Sequence, residues 1–356
     1  MHDIEAVRAA RSTVGWYGDP TISWSVLLHA KLDSLADPAD VGERLAAMVA
    51  HYPHLGPAPA VHTAGRANWP AVVARFADQP YADGWPLVRV AVGSEEPRIA
   101  IAAHQGVTNG LGLLALLGAA LETTVTSTAR GIGDRPASTS SAMAAARRLA
   151  EAALRPPARI ARRGGDPTHT GDVLTDVELP AARVGTGELI AATARAVEWW
   201  NQRESSRGHH GRHVAGVEVS RRGGGRLTPE LDSAFLRVPL PADPSGTTVR
   251  RTIAERAPEP AYPRTRSVAP QPVANALARR LGPTFLVSNL GRAGAGTTVR
   301  SLAFYPTASG RSGIAIGAAT AGAITTITIR ARRSDFDGKA ARELLDWVVE
   351  ELELHP

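Results

Sequence analysis

Residues 98–111, Arg98-Ile99-Ala100-Ile101-Ala102-Ala103-His104-Gln105-Gly106-Val107-Thr108-Asn109-Gly110-Leu111, change character twice. The first part alternates bulky and small apolar residues, as a buried strand does. It runs straight into His104, and a short polar turn follows. From Gly110 the apolar positions Leu111, Leu114, Leu117 and Leu121 recur at helical spacing. Strand, turn and helix thus follow one another closely, and such turns are where functional side chains are displayed.

Upstream, residues 86–92 predict a second strand, joined to the first by a turn over 93–97. Residues 22–32 alternate Ile22, Trp24, Val26, Leu28, Ala30 and Leu32, which predicts a strand with one buried face. Asp37-Pro38 caps a helix that carries Val41, Leu45 and Val49 and stops before Pro53. Downstream, residues 123–141 turn to Thr, Ser, Gly and Ala. After a helix over 142–153, residues 155–171 are full of Arg, Pro and Gly. The expected organisation is a first lobe over 1–154, a linker over 155–175 and a second lobe over 176–356. In the second lobe, strands are expected at 176–179, 214–219, 235–240, 284–289, 299–304, 313–319 and 323–330. Helices are expected at 186–202, 247–257, 271–281 and 338–352, an α+β pattern without strict βαβ alternation.

Composition narrows the function. At 356 residues the chain is long enough for two cores, and no apolar run approaches the roughly 20 residues of a membrane span. The start, Met1-His2-Asp3-Ile4-Glu5, has no basic segment leading into an apolar one, so a cytoplasmic location is expected. The absence of cysteine excludes disulfides, thiolate nucleophiles and Cys-based metal sites. The net charge of +6 comes almost wholly from arginine, since Lys31 and Lys339 are the only lysines. The densest basic groups, 159–163 and Arg221-Arg222, have no interleaved aromatics to stack on bases, so no nucleic-acid partner is expected. No Gly-rich phosphate loop with a Lys-Ser/Thr pair is present, and Gly223-Gly224-Gly225 reads as a hairpin tip. His209, His210 and His213 have metal-compatible spacing, but Glu204 and Glu218 are the nearest carboxylates and show no ligand pattern, so a surface loop and no metal are expected. Trp199 and Trp200 read as helix packing residues.

The stretch from Arg98 to Leu111 resembles the core motif of the chloramphenicol acetyltransferase/condensation-domain superfamily, two histidines, three variable residues, Asp and Gly. A second likeness is Phe285-Leu286-Val287-Ser288-Asn289-Leu290-Gly291-Arg292, similar to the Ser/Thr-Asn-Leu/Trp-Gly strand beside that family's tunnel. A third is the order of strands and closing helix from Leu302 through Asp335-Phe336-Asp337. The resemblance spans about nine-tenths of the chain. It implies an α+β, two-lobed, V-shaped fold, a pseudo-dimer of mixed-sheet lobes. It also implies a tunnel between the lobes for a small-molecule or carrier-protein-bound acyl substrate, no resident cofactor and a monomer.

In that family the second histidine is the general base and the Asp pairs with an arginine. Gln105 and Asn109 stand there in this chain. An amide cannot take a proton near neutrality, so about 10²–10⁴-fold of general-base catalysis is missing at that position. Asn109 keeps the hydrogen-bonding shape of Asp and tolerates a left-handed turn before Gly110. His104 is the base only if the loop is shifted by one residue, and otherwise it is a satisfied histidine at a strand end. The candidate catalytic residues are therefore Gln105, His104 and Asn109, with Gly110, Ser288 and Asn289 at the substrate. Three functions fit a scaffold that lacks the base. They are acyl transfer by proximity alone, a cyclisation or cycloaddition of a polyketide or carrier-bound intermediate in secondary metabolism, and a catalytically inactive module that recruits a carrier protein or partner enzyme.

Overall fold

A computed structural model describes residues 22–81, 86–180, 184–204, 211–225, 227–260, 280–296 and 298–354. The first lobe is built on β1 (Ser25–Leu32), whose two faces are both covered. Val26, Leu28, Ala30 and Leu32 enter one core, and Leu27 enters another on the opposite face. The helix α1 (Pro38–His51) starts where the Asp37 carboxylate accepts the Ala39 and Asp40 amides at 2.7 and 3.3 Å, and it buries Val41, Leu45 and Val49. β2 (Val61–Ala64), α2 (Trp69–Asp78), β3 (Val88–Gly93), β4 (Arg98–His104) and α3 (Gly110–Ala120) follow. α3 is apolar nearly all round because it is buried nearly all round.

The second lobe is carried by β6 (Asp172–Pro180), β7 (Val214–Ser220), β8 (Ser233–Pro239), β9 (Phe285–Gly294), β11 (Ile314–Ala321) and β12 (Ile324–Arg332). Its helices are α5 (Thr186–Arg203), α6 (Gly246–Glu255) and α7 (Gly338–Leu354), while α4 (Ser141–Leu154) precedes β6. Trp200, fully buried, donates from Nε1 to the Ala161 carbonyl at 2.9 Å and meets Trp347 edge-on, whereas Trp199 is exposed. The lobes interlock. β10 (Val299–Tyr305) leaves the second half of the chain to become the edge of the first sheet, in the order β10-β1-β4-β3-β2. In return β5 (Thr126–Ser127) pairs with β9 in the second sheet, whose order is β6-β12-β11-β9-β7-β8.

The expected elements at 22–32, 98–103, 186–202 and 338–352 appear within a few residues of their predicted bounds. β9 differs. It continues past Leu290 to Gly294, and Gly291 takes the left-handed φ of 68° where the register against β11 shifts. β6 is longer than expected, starting at Asp172, which is buried against Arg330. β2 and α2 were not expected. The helix at 271–281 falls largely outside the described residues, as do His209 and His210. His213 is not on a surface loop, for it is buried with Nε2 3.4 Å from the Glu198 carboxylate. The basic clusters are tied to acids of the same chain, Arg162 to Asp335, Arg163 to Glu343 at 2.9 Å and Arg222 to Glu230 at 2.7 Å. Among the described residues no helix is long and apolar enough to cross a membrane.

Candidate active site

The motif strand is held from both sides. Ser25 of β1 stands opposite His104, and the Gln105 amide donates to the Trp24 carbonyl at 2.8 Å. Trp24 has a φ of 55°, a left-handed conformation that costs a non-glycine residue about 1–2 kcal/mol. The turn beyond it is closed by His104 itself. Its carbonyl accepts from Val107 N at 3.0 Å, and its Nδ1 accepts from Gly106 N at 3.0 Å. The ring is 3% exposed and stands edge-on to Tyr81 at 5.3 Å. His104 therefore shapes the loop that carries Gln105, and its Nδ1 lone pair is engaged by the backbone.

Gln105 is half-buried and points across to the second lobe, where its Nε2 lies 3.5 Å from Oε2 of Glu218 on β7. That distance is the outer edge of hydrogen-bond reach, and catalytic contacts of this kind tighten when substrate is bound. The Gln105 Oε1 is buried without a protein partner among the described residues. Burial raises the proton affinity of Glu218 above the ordinary Glu value, and a hydrogen bond with Ser233 pulls it partly back. The pair is thus a hydrogen-bonding amide facing a carboxyl that takes and gives protons at higher pH than a solvated glutamate.

Asn109 acts as the N-cap of α3, its Oδ1 accepting from Gly112 N at 3.0 Å. Its backbone is extended, with φ −124° and ψ −171°, so the left-handed turn its side chain tolerates is not used. Gly110 is required by proximity, since a Cβ there would stand 2.5 Å from Leu290 Cδ2 and 2.6 Å from Phe304 Cζ. Asn109 thus fixes the start of α3, and Gly110 seats the loop against the second half of the chain.

Ser288 and Asn289 part company. Alternation along β9 puts Leu286 and Ser288 on one face, the same face as Gly216, whose Cβ would touch Leu286 Cδ2 at 2.5 Å. Glu218, two residues beyond Gly216, shares that face. Ser288 is buried there opposite Gly317 of β11. Asn289 turns the other way, donating from Nδ2 to the Val184 carbonyl at 2.9 Å and accepting from Gly291 N at 2.8 Å. It supports the wall of a separate crevice of about 900 Å³ between the N-termini of α5 and α6, lined by Val184, Glu188, Arg250 and Arg292 among others. The structure thus brings Gln105 and Glu218 together, places Ser288 on the face that carries Glu218, and puts Asn289 beside another cavity. Glu218 was weighed in the sequence only as a metal ligand. The signal that marks it is its charge within the otherwise uncharged run of β7.

No family model matches the sequence, and no curated protein is significantly similar to it. Solved structures are similar in fold. A doubly substituted starter condensation domain of rhizomide synthetase, in complex with C8-CoA and Leu-SNAC, superimposes with a TM-score of 0.62 at 14% identity over 99% of this chain and 93% of that one. The first condensation domain of the calcium-dependent antibiotic synthetase, with a substrate analogue, gives 0.57 at 15% identity over 98% and 95%. The epimerization domain from the third module of tyrocidine synthetase B gives 0.54 at 15% identity over 95% and 93%. With two mixed sheets in two lobes and a motif strand that leads into α3, the chain takes the same fold as these condensation and epimerization domains.

Proposed function

We propose that the chain is a condensation-type acyl-transfer enzyme of natural-product biosynthesis in which Glu218 replaces the missing histidine as the group that moves the proton. The observation that carries this reading is the Gln105–Glu218 pair across the two lobes. The acyl donor is a thioester of coenzyme A or of a carrier's phosphopantetheine arm, a proposal supported by the C8-CoA and Leu-SNAC bound to one structural neighbour. An acceptor amine or hydroxyl attacks the thioester carbonyl and its proton passes to the Glu218 carboxylate. The new C–N or C–O bond forms, the C–S bond breaks, and the departing thiolate takes the proton back. Gln105 orients. Its Nε2 faces the carboxylate, and its unpartnered Oε1 accepts a hydrogen from the acceptor.

The absence of cysteine makes the test clean, because every thiol detected by a thiol-reactive dye is product. The protein is supplied with acyl-CoA and acyl-N-acetylcysteamine thioesters and a panel of amines and alcohols. Acceptor-dependent thiol release is expected, and Glu218→Gln is expected to slow it by about 10²–10⁴-fold. Equal release by the variant sinks the assignment of Glu218. A product formed without thiol release points to the cyclisation reading, and saturable binding with no product points to the recruitment module.

A further inference from the structure

Arg330, on β12, is fully buried and joins the two lobes at the start of β1, the neighbour of the motif strand. Its Nε donates to Asp172 Oδ2 at 2.5 Å. Its Nη1 donates to the Ser25 carbonyl, and its Nη2 to the Ala77 carbonyl at 2.9 Å and to Ser23 Oγ at 3.3 Å. Ser25 is also gripped by Thr307 Oγ1, which donates to its carbonyl at 3.3 Å, while Ser25 Oγ donates to the Phe76 carbonyl at 2.8 Å. The guanidinium therefore holds the start of β1 and the end of α2, from a strand of the other lobe.

The residue before Ser25 is Trp24, in its left-handed conformation, and the Trp24 carbonyl receives the Gln105 amide. A strained backbone persists only where its surroundings over-determine it, and Arg330 supplies part of that constraint through its bond to the Ser25 carbonyl. A second carboxylate stands behind Asp172. Asp78 ends α2, at the negative end of that helix, and its Oδ1 accepts the Asp172 amide at 2.9 Å. Gly171, with φ 91°, leaves room for this approach, since a Cβ there would lie 2.5 Å from Asp78 Oδ2. The charged groups that face Asp78 are Asp172, Arg330 and Arg333. Arg333 donates from Nη2 to the Asp172 carbonyl at 3.0 Å. Tyr81 and Arg89 lie on the far side of the cluster, Arg89 over the Tyr81 ring at 3.8 Å and donating to the Gln79 carbonyl at 2.7 Å.

We infer that Arg330 is a positioning residue for Gln105, acting through the backbone of Ser25 and Trp24, and that Asp78 makes this grip sensitive to protons. With Asp78 neutral, one carboxylate shares Arg330 with the Ser25 and Ala77 carbonyls. When Asp78 ionises, two adjacent carboxylates compete for the same cations and the grip on Ser25 slackens. Burial and the neighbouring Asp172 raise the Asp78 pKa to about 6, which places this change in the physiological range. That Gln105 belongs to an active site rests on the function proposed above. The coupling from Asp78 to Trp24 does not.

The test reads Trp24 directly. The full-length chain is labelled with 5-fluorotryptophan, and the Trp24 fluorine resonance is identified by its loss in Trp24→Phe. On titration from pH 5 to pH 7.5 that resonance is expected to move with a midpoint near 6. The near-isosteric Asp78→Asn, which keeps the acceptor for the Asp172 amide, is expected to flatten the curve. Glu218→Gln is expected to leave the curve in place, which separates this coupling from titration at the active site itself. At fixed pH, Arg330→Lys is expected to displace the resonance. A Trp24 signal that ignores pH in the unmodified chain, or that titrates equally in Asp78→Asn, overturns the inference.

Discussion

Glu218 and Asp78 are both carboxyls whose proton affinity is raised, for different reasons and with different consequences. Glu218 is raised by burial and faces Gln105 of the other lobe, whereas Asp78 is raised by burial and by a second carboxylate and faces a joint. A group with a raised native pKa stabilises the fold most below its unfolded value, here 3.8 for Asp78, and that contribution is lost as pH rises through about 6. Asp78→Asn is therefore expected to raise the melting temperature at pH 7.5 relative to the unmodified protein and to raise it less at pH 5, the difference vanishing only below about pH 3.8. Because the carboxyl keeps partial contact with solvent, the gain is expected to be about 1 kcal/mol. Thermal unfolding at the two pH values checks this, and a fall in stability at pH 7.5 would contradict it. Activity has its own dependence. The rate is expected to rise as Glu218 ionises, with an inflection above the ordinary Glu range, and to lose that inflection in Glu218→Gln.

At the scale of elements, α3 shows how tightly the motif is built into its surroundings. Gly110→Ala drives a methyl into Leu290 and Phe304, two side chains fixed in a core, and is expected to destabilise the protein by about 1–3 kcal/mol in urea unfolding. Asn109→Ala removes the cap and is expected to cost about 0.5–2 kcal/mol, whereas Asn109→Asp, which still caps, is expected to be nearly neutral. These elements were legible in the sequence because their signals are local. Asp37-Pro38 announces a cap, Leu111 to Leu121 a helix, and the alternation from Val26 to Leu32 a strand. The helix Trp69–Asp78 was less legible, since it begins after an Asn68 with no capping bond and buries only Trp69, Phe76 and Ala77. The site was half legible. Gln105 and Asn109 are marked by their place in a contiguous motif, but Glu218 meets Gln105 only because two sheets come together, and no spacing in the chain records that.

At the scale of the molecule, the lobes are held by exchanged strands and by Arg330 rather than by a linker alone. β10 pairs with β1 over Leu27 to Leu32, and its Leu302 and Phe304 belong to the core of the first lobe. Cleavage of the chain within the exposed Pro136-Ala137-Ser138 segment, by a protease site inserted there, is accordingly expected to leave the two halves together in gel filtration. Separation of the halves without denaturant would show that strand exchange does not hold the lobes together. The same crossing ties the position of Gln105, on one lobe, to that of Glu218, on the other, so the two sides of the site share one rigid frame.

The borrowed strand also imposes an order on biosynthesis. Four strands of the first sheet are complete once His104 has been made, but the fifth is not translated until Tyr305. While the ribosome works through the intervening chain, β1 presents a bare, apolar border of unpaired amides and carbonyls, the kind of template to which other nascent chains attach. The yield of correctly folded protein is thus governed by how long that border waits, and slower elongation between those two points exposes it for longer.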